Sequence, residues 1–211
     1  MALTQLIFDL DNTLYPPSRG VVDRVDVRIN RYMIERLGMS ADDASALRAR
    51  YRDAHGTTLN GLMLHHEVDP DDYLTMVHEI AVEELLAPDP LLGAMLATLQ
   101  QRKAIFTNGS ATHAERVLDC LGVRSHFPWI FSLESVAYVP KPHHAAFETV
   151  LARLGVDAAE CLFVDDRTDN LATARALGMR TILVTHGTAV DAPADGVIDS
   201  ILDLPLLLAN A

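Results

Sequence analysis

The sequence predicts an α/β protein, a Rossmann-like parallel sheet covered by helices on both faces, with a block of helices inserted after the first strand. Three observations predict it. From about residue 103 onward, short β-rich runs alternate with helical stretches, the rhythm of consecutive βα units. The β-rich runs are apolar throughout, as strands are when both faces of their sheet are buried. Residues 16 to about 88 contain no convincing strand and read as several helices in succession.

Leu6-Ile7-Phe8 opens the sheet. In the insert, Val22, Val25, Ile29, Met33 and Leu37 recur at helical spacing, Ser40 with Asp43 reads as a capping box with Asp in place of Glu, and Asp69-Pro70 sets an N-cap before a proline. Asp89-Pro90 repeats that signature where the chain returns to the sheet, opening a helix from Leu91 to Gln100. Four strands follow. Ala104–Thr107 leads into a helix ending at Leu121, Trp129–Ser132 into one from about Pro142 to Leu154, and Cys161–Val164 into one ending at Leu177, before Arg180–Val184. Gly122, Gly155 and Gly178 each stand just past a helix with an apolar residue behind them, the pattern of a left-handed C-cap. Val197–Asp199 reads as a last short strand and Ile201–Leu208 as a docking helix. The expected domains are a core of residues 1–15 and 89–211 and a helical unit of residues 16–88, with no internal repeat.

With 211 residues, 49% of them hydrophobic, the chain can bury one sizeable core plus an insertion. Its 29 acidic against 17 basic residues leave a net charge of -12, which disfavours a nucleic-acid polymer or an anionic membrane as partner. A small phosphorylated metabolite stays compatible, because a metal ion inverts the local sign. Cys120 and Cys161 show no CxxC spacing, so a reduced, cytoplasmic setting is expected. The N-terminus has no leader-like pattern and no apolar run is long enough to span a bilayer, so neither secretion nor membrane insertion is expected. Oligomeric state is not legible.

The chemistry concentrates at strand ends. Asp9-Leu10-Asp11-Asn12-Thr13-Leu14 puts two carboxylates two residues apart, and the two-residue repeat of a strand points them the same way. Such crowding needs a cation and suits Mg²⁺ with phosphate, whereas an isolated pair of this kind is more often a solvated turn. Thr107-Asn108-Gly109-Ser110 ends a strand and opens a helix, turning a hydroxyl and free backbone N–H groups toward the same crevice. A plain capped turn is the alternative there. Lys141, between Pro140 and Pro142, is placed to neutralise phosphate and carboxylates together. Asp165-Asp166 closes another apolar strand, with Asp169-Asn170 in the turn beyond; a second carboxylate pair at a strand end is hard to explain as packing. His65-His66 and His143-His144 do not read as zinc sites, since adjacent histidines diverge on a helix and no third ligand has the spacing. Met76, Met95 and the Leu91–Leu99 run read as core.

Taken together, Asp9/Asp11/Thr13, Thr107-Asn108-Gly109, Lys141 and Asp165-Asp166/Asn170 resemble the haloacid dehalogenase (HAD) superfamily of hydrolases, in its usual order and over essentially the whole chain. The helical insert resembles that superfamily's C1 cap. More narrowly, Asp9 to Pro16, Gly56-Thr57-Thr58-Leu59-Asn60-Gly61-Leu62 and Val164-Asp165-Asp166 are similar to the pyrimidine 5′-nucleotidase branch. The fourth motif departs from the superfamily's frequent form, with Asp165 in place of Gly and Asn170 in place of the last acid, so the choice between Asp165 and Asp166 as metal ligand stays open.

The resemblance implies the HAD fold and a Mg²⁺-dependent phosphoric monoester hydrolase. Asp9 would be the nucleophile that forms an aspartyl-phosphate, and Asp11 the general acid and then base. Asp9, the Asp11 carbonyl and Asp166 would hold the metal; Thr107, Asn108, Gly109 and Lys141 the phosphate; Asp165 and Asn170 would orient Lys141 or a metal-bound water. Arg52, Thr57 and Thr58 of the insert, with His55 and Asn60 nearby, would meet the leaving group. A nucleoside 5′-monophosphate is the leading substrate; a sugar-phosphate phosphatase or a phosphomutase uses the same residues. A dehalogenase would leave Asp11 and the second Asp pair without a task. A phospho-receiver module would not carry the long insert after its first strand.

Overall fold

The computed structural model describes residues 2–188 and 193–208. The chain begins in β1 (Gln5–Phe8) and then makes four helices before returning to the sheet: α1 (Val21–Leu37), α2 (Ala41–His55), α3 (Thr58–His66) and α4 (Pro70–Val77). After α5 (Pro90–Thr98) the alternation sets in, with β2 (Arg102–Phe106), α6 (Ala111–Leu121), β3 (Trp129–Phe131) and α7 (His144–Leu154). It continues through β4 (Cys161–Asp165), α8 (Thr168–Ala176), β5 (Arg180–Val184) and β6 (Gly196–Ile198) to α9 (Leu204–Leu208).

Among the described residues, six strands pair in parallel in the order β3-β2-β1-β4-β5-β6. The chain builds outward from β1 to one edge, then resumes at β4 on the other side of β1. Beyond the carboxyl ends of β1 and β4 therefore lies the crevice where open α/β sheets bind ligands. Alternate side chains feed opposite layers. Leu6, Phe8, Ile105, Leu162 and Val164 pack with Leu92 and Leu96 of α5 and Val117 and Leu118 of α6. Ile7, Ala104, Phe106 and Phe163 pack with Phe147 and Val150 of α7 and Leu171 of α8.

Helices α1 to α4 gather a separate apolar cluster that includes Tyr32, Met33, Tyr51, Leu59, Leu62 and Leu74. Val82 and Leu86, later in the insert, pack instead with the sheet cluster. Asp69 and Asp89 cap α4 and α5 as their Asp-Pro signatures predict. Ser40 caps α2 by accepting the Asp43 N–H, but the box closes differently from expectation: the Ser40 hydroxyl donates to the Asp43 carboxylate. Gly122 and Gly155 terminate α6 and α7 at φ +71° and +64°, each donating its N–H into the last turn.

Other boundaries shift modestly. Thr107 lies just past β2, the helix expected from about Pro142 starts at His144 after a cis Lys141-Pro142 peptide, and the expected tail helix divides into a 3-10 turn (Ile201–Asp203) and α9. Residue 1, residues 189–192 and residues 209–211 belong to the expected core but lie outside the described residues. Among the described residues, no helix is long and apolar enough to cross a membrane.

Candidate active site

The β1–β4 ladder runs one step past β1: Asp9 N–H donates to the Val164 carbonyl at 2.8 Å, setting Asp9 beside Asp165, the last residue of β4. Lys141 joins them. Its Nζ donates to Asp9 Oδ1 at 2.6 Å and to Asp165 Oδ2 at 2.9 Å, while the Phe106 and Phe163 ring centroids lie 5.2 and 5.3 Å away. The lysine is 1% exposed, so this ammonium is stabilised by two carboxylates and two ring faces in place of water. Asn170 Nδ2 and the Arg167 N–H complete the contacts of Asp165, and Thr13 Oγ1 donates to the second oxygen of Asp9. Asp165 thus accepts from Lys141 and from Asn170 at the same oxygen.

Asn108 fixes the lysine's backbone. Its amide donates to the Lys141 carbonyl at 2.9 Å and accepts the Lys141 N–H at 2.8 Å. Thr107 Oγ1 accepts the Gly109 N–H, and a Cβ at Gly109 would stand 3.1 Å from the His113 ring and 3.3 Å from Thr107 Oγ1. Any larger residue there would press the His113 ring and the Thr107 hydroxyl apart by a few tenths of an ångström.

Asp11 behaves differently from expectation. Strand periodicity does not align it with Asp9, because β1 stops at Phe8 and Asp11 lies in the turn that follows. In that turn Asn12 adopts φ +61°, a conformation asparagine tolerates, and His186 Nε2 donates to its carbonyl. The carboxylate of Asp11 is bound by the Tyr15 hydroxyl and, at 2.9 Å, by His113 Nε2 of α6. Burial alone would raise Asp11, but His113 and the Tyr15 hydroxyl together pull it down to about 2. Behind His113 stacks His78, centroids 4.5 Å apart, with its Nδ1–H on the Leu74 carbonyl. Burial and the neighbouring His113 hold His78 down at about 3, so it is neutral. Neither histidine was singled out by sequence; the available signal was that His113 shares the apolar face of Ala114, Val117 and Leu118.

Asp9, Asp165 and Asp166 offer oxygens that all lie within 4.8 Å of one another. Burial, opposed by Lys141 and reinforced by Asp165, raises Asp9 to about 7; burial and the charges of Asp9 and Asp165 raise Asp166 to about 8. One ammonium does not offset this crowding, and an all-oxygen donor set fits a hard divalent cation. Asp9 and Asp166 line the cavity, whereas Asp165 is fully buried and is not part of its wall, so Asp9 and Asp166 are the side chains that could offer oxygens to a metal there.

A cavity of about 400 Å³ lies over these groups. Asp9, Asp11, Thr107, Lys141 and Asp166 line it from the sheet, and Arg52, Thr57 and Thr58 line it from the insert, together with Arg48, Tyr73 and His78. His55 and Asn60 do not: Asn60 is bonded to Thr57 at the start of α3, and His55 sits with Tyr51, His65 and His66 around a different pocket. His66 Nε2 lies 3.1 Å from the Tyr51 hydroxyl while His65 stacks on the Tyr51 ring, so the adjacent histidines, expected to diverge, meet on one tyrosine and line one pocket.

A family model described as haloacid dehalogenase-like hydrolase matches residues 4–178. Phosphate metabolism protein 8 of Saccharomyces cerevisiae is 27% identical over 191 residues, covering 83% of this chain and 60% of that protein, so the chain spans about three fifths of that relative's length. The phosphoglycolate phosphatase of Rhodospirillum rubrum is 28% identical over 199 residues, 86% of this chain and 79% of its own. Among solved structures, the HAD phosphatase of Thermococcus onnurineus superposes with a TM-score of 0.67 at 20% identity over 98% of each chain, a likeness of fold.

Proposed function

The chain belongs to the haloacid dehalogenase-like hydrolases, and we propose that it is a Mg²⁺-dependent phosphatase of a small phosphorylated metabolite, with a nucleoside 5′-monophosphate as the leading substrate. One observation carries the reading: a buried lysine holds Asp9 beneath a cavity, while a second carboxylate, Asp11, is oriented independently by His113 and Tyr15. That arrangement separates a nucleophile from a proton-transfer group. Dehalogenation would leave Asp11 and Asp166 without a task.

In this reading Asp9 attacks phosphorus in line, its oxygen forming the new P–O bond as the ester oxygen departs. Asp11 gives its proton to that departing oxygen and then takes one from the water that cleaves the aspartyl-phosphate. A dianionic phosphate beside Asp11 raises the carboxyl against the pull of His113, so Asp11 takes up a proton from solvent as the substrate binds. Lys141, the Thr107 hydroxyl and the Asn108 backbone N–H balance charge on the phosphoryl oxygens, the Gly109 N–H being engaged by Thr107 Oγ1. Mg²⁺, held by the side chains of Asp9 and Asp166 and the Asp11 carbonyl, would keep Asp9 ionised and offset phosphate charge.

Residues 1–15 and 89–211 serve as catalytic core and residues 16–88 as a cap that contributes Arg52, Thr57 and Thr58 to leaving-group contacts. The free cysteines Cys120 and Cys161 fit a reducing cytoplasmic setting. A panel of nucleoside monophosphates, sugar phosphates and 2-phosphoglycolate, assayed for phosphate release with Mg²⁺ and with EDTA, tests the proposal. Release that needs Mg²⁺, favours nucleotides and vanishes in Asp9→Asn is expected. Undiminished turnover by Asp9→Asn would overturn the phosphatase reading, and equal weak rates on every compound would remove only the nucleotide preference.

A further inference from the structure

The side chain that orients Asp11 is itself held by little. His113 is buried and reaches Asp11 through Nε2 at 2.9 Å, but its Nδ1 finds no hydrogen-bond partner among the described residues. An imidazole that orients a carboxylate is ordinarily fixed by a hydrogen bond at its second nitrogen. Here a ring face takes that place. His78 lies against His113 with centroids 4.5 Å apart and planes 24° from parallel. His78 is in turn fixed twice on the Leu74 carbonyl, through Nδ1 at 3.0 Å and through its main-chain N–H at 3.2 Å.

His78 stands at the junction of insert and core. It closes α4, whose Tyr73, Leu74 and Val77 belong to the apolar cluster of the insert. The chain beyond it is gripped by α6: Arg116 Nη2 donates to the Ile80 carbonyl at 2.8 Å, Nη1 lies 3.5 Å from the His78 carbonyl, and the guanidinium pairs with Glu83. Arg116 is one turn from His113, so the ring of His78 and the backbone after it are both set against α6. Resting on the phosphatase reading above, we propose that His78 is a positioning residue for proton transfer: its ring keeps the His113 imidazole on Asp11, and the last helix of the insert thereby supports the catalytic acid. Without that backing, Asp11 keeps only the Tyr15 hydroxyl as a firm side-chain partner. His78 also lines the cavity, and a role as a direct substrate contact would appear in KM with kcat unchanged.

The test is steady-state phosphate release with Mg²⁺ from UMP and 2-phosphoglycolate, whose alcohol leaving groups need a proton, and from p-nitrophenyl phosphate, whose aryl leaving group does not, with unfolding midpoints measured alongside. On whichever alkyl ester is turned over, His78→Ala should lower kcat by about tenfold, with KM and the aryl turnover within about threefold of wild type. His78→Phe keeps a ring face and should recover the alkyl kcat to within about threefold of wild type, whereas His78→Leu keeps bulk without the face and should not. If His78→Ala does not fold, His78→Leu against His78→Phe makes the same comparison. In a His113→Asn background the His78 substitution should cost nothing further, because the ring it supports is gone. An alkyl kcat unmoved within about threefold, equal losses on alkyl and aryl esters, a change confined to KM, failure of His78→Phe to recover, or an additive loss in the double variant would each overturn the inference. Any of these with wild-type release intact sinks it alone, whereas no Mg²⁺-dependent release from any of the three esters sinks the phosphatase reading too.

Discussion

Replacing Lys141 by methionine removes one charge and leaves most of its surroundings in place. An unbranched side chain still fills the space between the Phe106 and Phe163 rings, and Asn108 still grips the backbone at residue 141 through both of its hydrogen bonds. The change in apolar packing alone is worth less than about 1.5 kcal/mol. What is lost is the sole ammonium between Asp9 and Asp165, themselves 7% and 0% exposed. Breaking a buried ion pair by removing one partner costs about 3–5 kcal/mol, because the other charge stays buried. The assay is urea unfolding in EDTA at pH 5 and pH 8. Asp9 is already raised from 3.8 to about 7, by burial against the opposing pull of Lys141, and without that pull it rises further. A carboxyl raised in the folded state is neutral in both states below about pH 4, where it makes no difference; above that, the unfolded chain sheds the proton first and stability falls as pH climbs. The variant's deficit should therefore be larger at pH 8 than at pH 5. A loss below about 1 kcal/mol at pH 8, or the same loss at both pH values, would refute the reasoning.

The same linkage applies to the wild type. With Asp9 raised to about 7 and Asp166 to about 8, the metal-free protein should lose stability between pH 5 and pH 8, by about 1.4 kcal/mol per pH unit for each carboxyl that keeps its proton only when folded. Added Mg²⁺ should therefore raise the thermal midpoint more at pH 8 than at pH 5, and an equal gain at both would count against Asp9 and Asp166 as its ligands. His113→Asn should lower kcat on an alkyl phosphate roughly 100-fold while changing p-nitrophenyl phosphate turnover by about threefold at most, because an aryl leaving group departs without a proton and so does not need Asp11 held in place. Equal losses on the two substrates would leave His113 a purely structural residue.

How much of the site is legible in the sequence depends on what each residue's signal reports. Asp9, Thr107, Lys141 and the Asp165-Asp166 pair stand at or beyond the ends of apolar runs, or between prolines, and a polar group there is conspicuous against its surroundings. Arg52, Thr57 and Thr58 stand out as a polar stretch around Gly56 in the insert, and the structure does bring them to the cavity. His113, His78 and Arg48 carry no such mark. Each lies on or beside a helix, and what marks it out is a partner on another element: Asp11, His113 and Asp26 respectively. Asp11 shows the reverse case: the motif is plain and both carboxylates do face one cavity, but not through strand periodicity, because pairing ends with the Asp9 N–H on Val164 and a turn has taken over by Asp11.

Hydrophobic period and helix punctuation by themselves determined that this chain makes a parallel α/β sheet with a helical insert, since burial patterns and caps are local properties of a few consecutive residues. The strand order that sets β4 next to β1, and with it the insertion of the Lys141 ammonium between Asp9 and Asp165, was decided only in three dimensions. Which strands become neighbours depends on the helices that cross between them and on the layers those helices cover, and no stretch of sequence contains both sides of such a contact.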